Sequence, residues 1–216
     1  MIAQFALDFQ GELPPRYNIS PTQLVAVVRG LERHVTHLRW GLVPFWAKHP
    51  KEGARLINAR SETVATKPAF RRAVKKRRCL VPADGYFEWV GEGKKKQPYW
   101  IRMHDDGPFL MAGIWDRWRD KTADETADET EPLETFSILT TAANRIASEI
   151  HDRMPVILGP NDYDRWLDPE LENVEDLSYM FEPYDAREMR LDAVSTRVNS
   201  ARNDDPGCVE IEQTLF

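Results

Sequence analysis

Residues 78–89 read RCLVPADGYFEW, and this stretch decides the fold class. The apolar run Cys79–Val81 and the aromatic run Gly85–Val90 have the composition of strands. Working outward, the sequence predicts further strands on both sides, at Gln23–Arg29, His34–Trp40, Pro98–Met103, Phe109–Trp115, Phe136–Thr141, Leu191–Val194 and Val209–Ile211, with a strand or turn at Met154–Leu158. It also predicts short helices, at Pro68–Lys76, Asn144–Ile150, Asn161–Leu167 and Leu171–Met180. Because strands predominate and no strand–helix–strand unit repeats, we expect one mixed α+β domain over residues 1–216, with a largely antiparallel sheet.

The charge of the chain is acidic overall but unevenly distributed. The formal net charge of −6 argues against a protein that coats nucleic acid without specificity. Residues 67–78 (KPAFRRAVKKRR) nevertheless carry seven Lys or Arg and no acid. This run predicts either a local basic face for nucleic acid or a solvated helix face. Residues 120–134 contain TADE twice in tandem, which predicts a mobile acidic surface loop.

Composition also narrows the class of protein. No run of 18 apolar residues is present, so no transmembrane helix and no membrane partner are expected. The two cysteines, Cys79 and Cys208, give neither a disulfide framework nor a metal-ligand spacing. Neither cysteine has a neighbouring histidine to activate it, and Cys79 also begins an apolar strand. Both observations favour unreactive thiols. We therefore expect a reduced, cytoplasmic protein that holds no metal and no cofactor.

Three polar segments interrupt the apolar pattern and are candidates for a site. In the first, Asn58 and Arg60 share one face of an extended stretch, where an amide can orient a ligand and a guanidinium can hold a phosphate. In the second, Glu88 lies within an aromatic strand, and an inward carboxylate there would be desolvated enough for proton transfer. In the third, His151 is a natural acid or base near neutral pH, and Arg153 offers a second phosphate contact. The alternatives are a structural turn, a glutamate that points into water and a structural histidine at a helix end.

An aromatic loop at residues 40–46 (WGLVPFW) suggests nucleic acid as the ligand. Trp46, with Phe45 beside it, is placed to stack on an unpaired base. The alternative is that Trp46 belongs to the core, as most of the seven tryptophans must.

The same segments, in the same order, resemble the SRAP (SOS response-associated peptidase) family. The matching blocks are residues 15–23 (PRYNISPTQ), 40–44 (WGLVP), 57–63 (INARSET), 70–71 (FR), 78–89, 97–99 (QPY), 112–115 (AGIW), 150–155 (IHDRMP), 194–195 (VS) and 198–199 (VN). They cover nearly the whole chain from Pro15 onward. The resemblance implies a single SRAP-like domain with a barrel-like, largely antiparallel core and peripheral helices.

The resemblance also implies a mechanism. Family members begin Met-Cys-Gly-Arg-Phe, and the exposed cysteine attacks the aldehyde of an abasic site in single-stranded DNA to give a Schiff base and then a thiazolidine. In that scheme Asn58 would position the amine, Glu88 would move protons at the amine and thiol, and His151 would assist opening of the sugar. The DNA-binding residues implied are Asn18, Trp46, Arg60, Arg153, Ser195 and Asn199.

The start of the chain departs from the family pattern. Setting Met1–Phe5 on the family start makes Ile2 a replacement for the cysteine. Alternatively, Met1–Phe9 is the end of the family's first helix, with Ile2, Phe5 and Ala6 on one face, and the cysteine segment is missing. The helical pattern and the short distance to Pro15 favour the second placement.

Three functions follow as hypotheses. The first is an abasic-site sensor whose crosslinking cysteine lies outside the given sequence. The second is a noncatalytic single-stranded DNA-binding domain, and the third is a peptidase that removes only its own leader. Single-stranded DNA with abasic sites is the expected partner, and the expected state is a monomer.

Overall fold

The computed structural model describes residues 5–8, 13–91, 96–120 and 131–212. Most of the predicted acidic loop at 120–134, including both TADE repeats, lies outside these ranges, as does about half of the predicted Met1–Phe9 helix. Strands dominate the described residues: β1 (Leu24–Arg29), β2 (His34–Trp40), β3 (Asn58–Arg60), β4 (Arg78–Ala83), β5 (Tyr86–Val90), β6 (Gln97–Met103), β7 (Phe109–Trp118), β8 (Leu133–Ala142), β9 (Arg153–Pro155), β10 (Ile157–Leu158) and β11 (Met189–Ala193). Three short α-helices accompany them, α1 (Ser61–Val64), α2 (Ala73–Lys76) and α3 (Tyr163–Leu167).

Five of these strands close into a ring. β1 pairs with β2 and β4, β4 pairs with β7, and β7 pairs with β8, all antiparallel. A parallel pairing of β2 with β8 completes the ring. The side chains of Val27, Leu38 and Phe136 are fully buried in its interior. The predicted α+β fold with a largely antiparallel, barrel-like core is therefore confirmed.

A second sheet and two short strands complete the architecture. β5, β6 and β11 form an antiparallel sheet of three strands. The inward face of this sheet, which includes Tyr86 and Ile101, packs on the buried residues inside the ring, such as Val27, Leu38 and Phe136; we call these buried residues the barrel cluster. Beyond the ring, β3 and β9 lie on opposite edges of β8, and both pair with Thr140. These three strands bring residues that are about 90 apart in sequence onto one surface.

The helices are shorter than the sequence predicts. The predicted helix Pro68–Lys76 is helical only as α2, after a series of turns from Lys67 to Arg72. Leu171–Met180 is a 3₁₀ helix at Val174–Phe181, and Asn144–Ile150 contains one 3₁₀ turn, Ala147–Glu149. The predicted strand Val209–Ile211 is wrong, because a 3₁₀ turn at Pro206–Val209 leaves only a bridge between Ile211 and Val194. Helices this short are stabilised by packing rather than by helix propensity, so the hydrophobic periodicity in their sequences is too weak to fix where they begin and end.

The basic run contains a buried member that the charge pattern does not reveal. Arg78 is 4% exposed, and its guanidinium donates to backbone carbonyls that include those of Val74 and Leu171. Burial lowers the pKa of Arg78 to about 10. Arg78 therefore ties β4 to the segments after α3 and is not part of a basic surface.

The described residues contain no helix long and apolar enough to cross a membrane. Cys79 and Cys208 are free and buried, and burial raises the pKa of the Cys79 thiol. Neither thiol is therefore placed to attack a ligand.

Candidate functional site

The strand β3 presents two polar side chains outward. Ala59 is fully buried in the core, so alternation along the strand turns Asn58 and Arg60 to the exposed face. Parallel pairing with β8 fixes this register, with Asn58 opposite Ile138 and Arg60 opposite Thr140. The structure thus places Asn58 and Arg60 on one face, as the extended stretch predicts.

A cleft of about 350 Å³ opens beside β3. Its lining residues are Trp46, Arg55, Leu56, Asn58, Arg60, Lys67, Pro68, Ala69 and Phe70. Trp46 is 47% exposed, so it belongs to the cleft and not to the core. Within the part of the chain that the structure describes, the three cations in this lining make no ion pair. The cleft therefore combines an aromatic face with unneutralised positive charge, which suits an anionic ligand that carries a flat ring.

The loop that carries Trp46 is held by a close approach of two glycines. Gly41 follows β2 with a φ of +121°, and Gly53 lies in the 3₁₀ helix Pro50–Arg55, which carries Arg55 into the cleft. A Cβ on Gly41 would come within 2.7 Å of the Gly53 carbonyl oxygen.

Next to the cleft, the guanidinium of Arg72 lies 4.5 Å from the ring centroid of Phe45.

We expect Gly53→Ala to destabilise the protein by about 2 kcal/mol, because a methyl group there would overlap the Gly41 carbonyl. Chemical denaturation measures this loss. Gly159→Ala is the matched control, since its Cβ would meet only the Asp162 carboxylate, at 3.6 Å. Equal stabilities for the two variants would show that the Gly41–Gly53 approach does not constrain the loop.

Arg153 is engaged rather than free. Its Nη1 and Nη2 donate to the two carboxylate oxygens of Glu62 at 2.5 and 2.9 Å, and Nη2 also donates to the Thr140 carbonyl at 2.7 Å. The hydrogen bond from Arg153 holds the pKa of Glu62 below its ordinary value. A phosphate would have to displace Glu62 to reach this guanidinium. Glu62, just after Arg60, is a partner that the sequence interpretation missed.

His151 is oriented by the backbone of its neighbour. The Arg153 N–H donates to His151 Nδ1 at 3.0 Å, and the Arg153 carbonyl oxygen lies 3.3 Å from the same ring nitrogen. The Asp152 carboxylate lies 3.3 Å from the same Nδ1. The imidazole is about half exposed, which leaves Nε2 open to a ligand.

Glu88 approaches this histidine from the three-stranded sheet. Its carboxyl is partly buried, and that burial raises its pKa; the nearby His151 partly offsets the effect, and Asp152 adds to it. The side chain therefore points inward from β5 and not into bulk water. A carboxyl group with a raised pKa beside a histidine is suited to moving protons near neutral pH.

Three of the predicted DNA-binding residues lie elsewhere. Asn18 is 5% exposed, and its Nδ2 donates to the carbonyls of Val198, Ser200 and Asn203 at 3.0–3.1 Å. Asn18 therefore ties the segment before β1 to the chain after β11, and its DNA role stays a prediction.

Ser195 and Asn199 belong to the 3₁₀ turn that follows β11. Ser195 caps this turn by accepting from the Arg197 N–H, and Asn199 Oδ1 accepts from Trp89 Nε1 at 2.7 Å. Because Trp89 and Glu88 are adjacent on β5, their side chains point to opposite faces of the sheet. Ser195 and Asn199 are therefore not brought together with Glu88 and His151.

Comparisons with known proteins agree with this architecture. The family model described as "SOS response associated peptidase (SRAP)" matches residues 2–201. The abasic site processing protein YoqW of Bacillus subtilis is 38% identical over 216 residues, which cover 97% of this chain and 93% of that protein. The abasic site processing protein HMCES of Gallus gallus is 34% identical, with 93% and 67% coverage. A crystal structure of a protein from Bacteroides thetaiotaomicron superposes with a TM-score of 0.76 at 35% identity, covering 89% of this chain and 82% of that one.

Proposed function

The chain belongs to the SRAP family, and from this premise we propose that it recognises abasic sites in single-stranded DNA and forms a covalent link to them. The observation that carries the proposal is the cleft lined by Trp46, Asn58 and three cations that make no ion pair within the described residues. The proximity of the Glu88 carboxyl to His151 adds to it. The relatives named above are described as abasic site processing proteins.

The cleft favours single-stranded over duplex DNA. Trp46 can stack on a base only if that base has left its neighbours, and such stacking contributes roughly 1–3 kcal/mol per base. Arg55, Arg60 and Lys67 line the same cleft as the Trp46 ring and would contact the adjoining phosphates. Arg153 would join them only after releasing Glu62.

The proton movements of sugar opening fit Glu88 and His151. The closed sugar of an abasic site opens when the C1′ hydroxyl loses a proton and the ring oxygen gains one. Glu88, once ionised, accepts the first proton, and His151 Nε2–H donates the second. The product is an aldehyde, and the Asn58 amide would position the amine that attacks it. The desolvated Glu88 carboxyl and the half-exposed His151 ring support these assignments.

The covalent step requires an amine on the protein. An α-amine condenses with the aldehyde to a Schiff base and releases water, and a thiol on the same residue then adds to the imine to give a thiazolidine. Residue 2 is isoleucine, and Cys79 and Cys208 are buried. Residues 1–216 alone would therefore form only a reversible Schiff base.

The test compares two proteins on single-stranded DNA with one abasic site. One is residues 1–216, and the other, the cysteine-led form, is the same chain preceded by a leader that exposes an N-terminal cysteine. We expect both to bind the DNA and only the cysteine-led form to give an adduct that survives heat on a denaturing gel. If both bind and neither gives such an adduct, the chain is a noncatalytic single-stranded DNA-binding domain. Cleavage of an unrelated peptide would instead favour a peptidase.

A further inference from the structure

The strand β5 carries a second polar group on the same face as Glu88. Tyr86 and Glu88 are two residues apart, so both side chains point towards the barrel. The Tyr86 ring packs against the barrel cluster that contains Ile101 and Met111. Its hydroxyl is buried and has no hydrogen-bond partner in the described part of the chain.

A buried hydroxyl without a partner needs a physical reason. Such groups are uncommon in native proteins, because burial removes their hydrogen bonds to water without replacement. A bound water molecule or a functional role usually accounts for them. Phenylalanine would fill the same space without this cost, so packing alone does not explain a tyrosine at position 86.

The charges around the two side chains favour a donor–acceptor relation. Burial, with a further contribution from the Glu88 charge, raises the pKa of Tyr86, so the phenol remains protonated and can donate. Besides Tyr86, the groups that face Glu88 are His151 and Asp152, from the segment before β9, and Tyr99, directly opposite on β6. Of these two tyrosines, only Tyr86 has a hydroxyl that is both buried and without a hydrogen-bond partner in the described part of the chain.

We propose that Tyr86 is a positioning residue for Glu88, whose hydroxyl donates a hydrogen bond to the Glu88 carboxylate through one bridging water molecule. The bridge satisfies the buried hydroxyl and stabilises the ionised carboxylate, which is the form that accepts a proton. It also fixes the carboxylate in one orientation towards His151. This role rests on the function proposed for Glu88, but it has a measurable signature in the free protein.

The first test is the titration of the Glu88 side chain, followed by the ¹³C NMR signal of its carboxyl carbon in residues 1–216 and assigned by its disappearance in Glu88→Gln. In Tyr86→Phe we expect the midpoint to rise by about half to one pH unit, because the ionised form loses a donor. Tyr179→Phe, on the exposed 3₁₀ helix Val174–Phe181, should leave the midpoint unchanged. An unchanged midpoint in Tyr86→Phe overturns the proposal.

Stability and kinetics separate positioning from a purely structural role. At neutral pH Tyr86→Phe should melt slightly below the parent protein, because a raised Glu88 midpoint itself lowers stability there. The difference should vanish at acidic pH, where the carboxyl is protonated in both proteins. In the cysteine-led form, Tyr86→Phe should slow adduct formation. The same substitution made in the Glu88→Gln variant should cause no further slowing. An equal slowing in both backgrounds would contradict the proposal. A shifted midpoint together with a parent that never forms adducts would refute the proposed function while leaving the role of Tyr86 intact.

Discussion

Replacing Glu88 with glutamine is expected to slow adduct formation by the cysteine-led form about 100-fold or more, while DNA affinity changes by less than about twofold. Glutamine has nearly the same shape as glutamate but cannot take up or release a proton near neutral pH. The affinity should persist because the cations and Trp46 of the cleft lie on other elements. The measurement is the rate of gel-stable adduct formation at saturating protein, with affinity measured separately by fluorescence anisotropy.

The pH dependence of the same reaction gives an independent check. Burial raises the pKa of Glu88, so the carboxylate that acts as the base is lost as pH falls through a value above the ordinary carboxyl range. The parent rate should therefore fall on the acidic side at a higher pH than an unperturbed glutamate would give. This limb should be absent in Glu88→Gln. Glu182→Gln, an exposed control, should keep both the parent rate and its fall on the acidic side. If Glu88→Gln instead crosslinks as fast as the parent, Glu88 has no part in the mechanism.

Local alternation predicted much of the site. A buried Ala59 between two polar residues requires Asn58 and Arg60 to face outward, and β3 follows this rule. The aromatic residues around Glu88 predicted a strand, and β5 is one; whether its carboxyl points inward or into water was left open, and the structure has it partly buried. The Pro-containing loop left Trp46 open between a stacking role and a place in the core, and the structure has it 47% exposed.

What the sequence could not reveal depends on partners far along the chain. Asn18 resembles a ligand-binding amide in a polar motif, but its three acceptors lie about 180 residues away. Arg78 ends a basic run, yet its acceptors include a carbonyl 93 residues further on. Polar side chains in a motif can satisfy either a ligand or a distant backbone, and only the fold distinguishes the two.

The pairing of Arg153 with Glu62 illustrates the same limit for charge. Each residue lies in a block that resembles the family, but nothing in the spacing links residues 91 apart. The strands β3 and β9 come to flank β8 only because both pair with Thr140 of that strand. Of the two arginines predicted as phosphate contacts, Arg60 makes no ion pair within the described residues, whereas Arg153 is paired with Glu62.

Arg60→Glu should consequently weaken binding to single-stranded DNA more than any other single charge change in the cleft, by about 30-fold or more at moderate salt. Arg60 makes no ion pair within the described residues, so a phosphate can reach its guanidinium directly. Its charge also helps to lower the pKa of Glu62, and the reversal would replace this attraction with repulsion. The neutral variant Arg60→Gln should reduce the slope of log affinity against log salt by about 0.7, the contribution of one phosphate contact on a single strand. Arg202→Glu makes the same charge change on an exposed residue outside the cleft and controls for net charge. Similar losses for Arg60→Glu and Arg202→Glu would mean that the DNA follows the overall field of the protein and not this cleft.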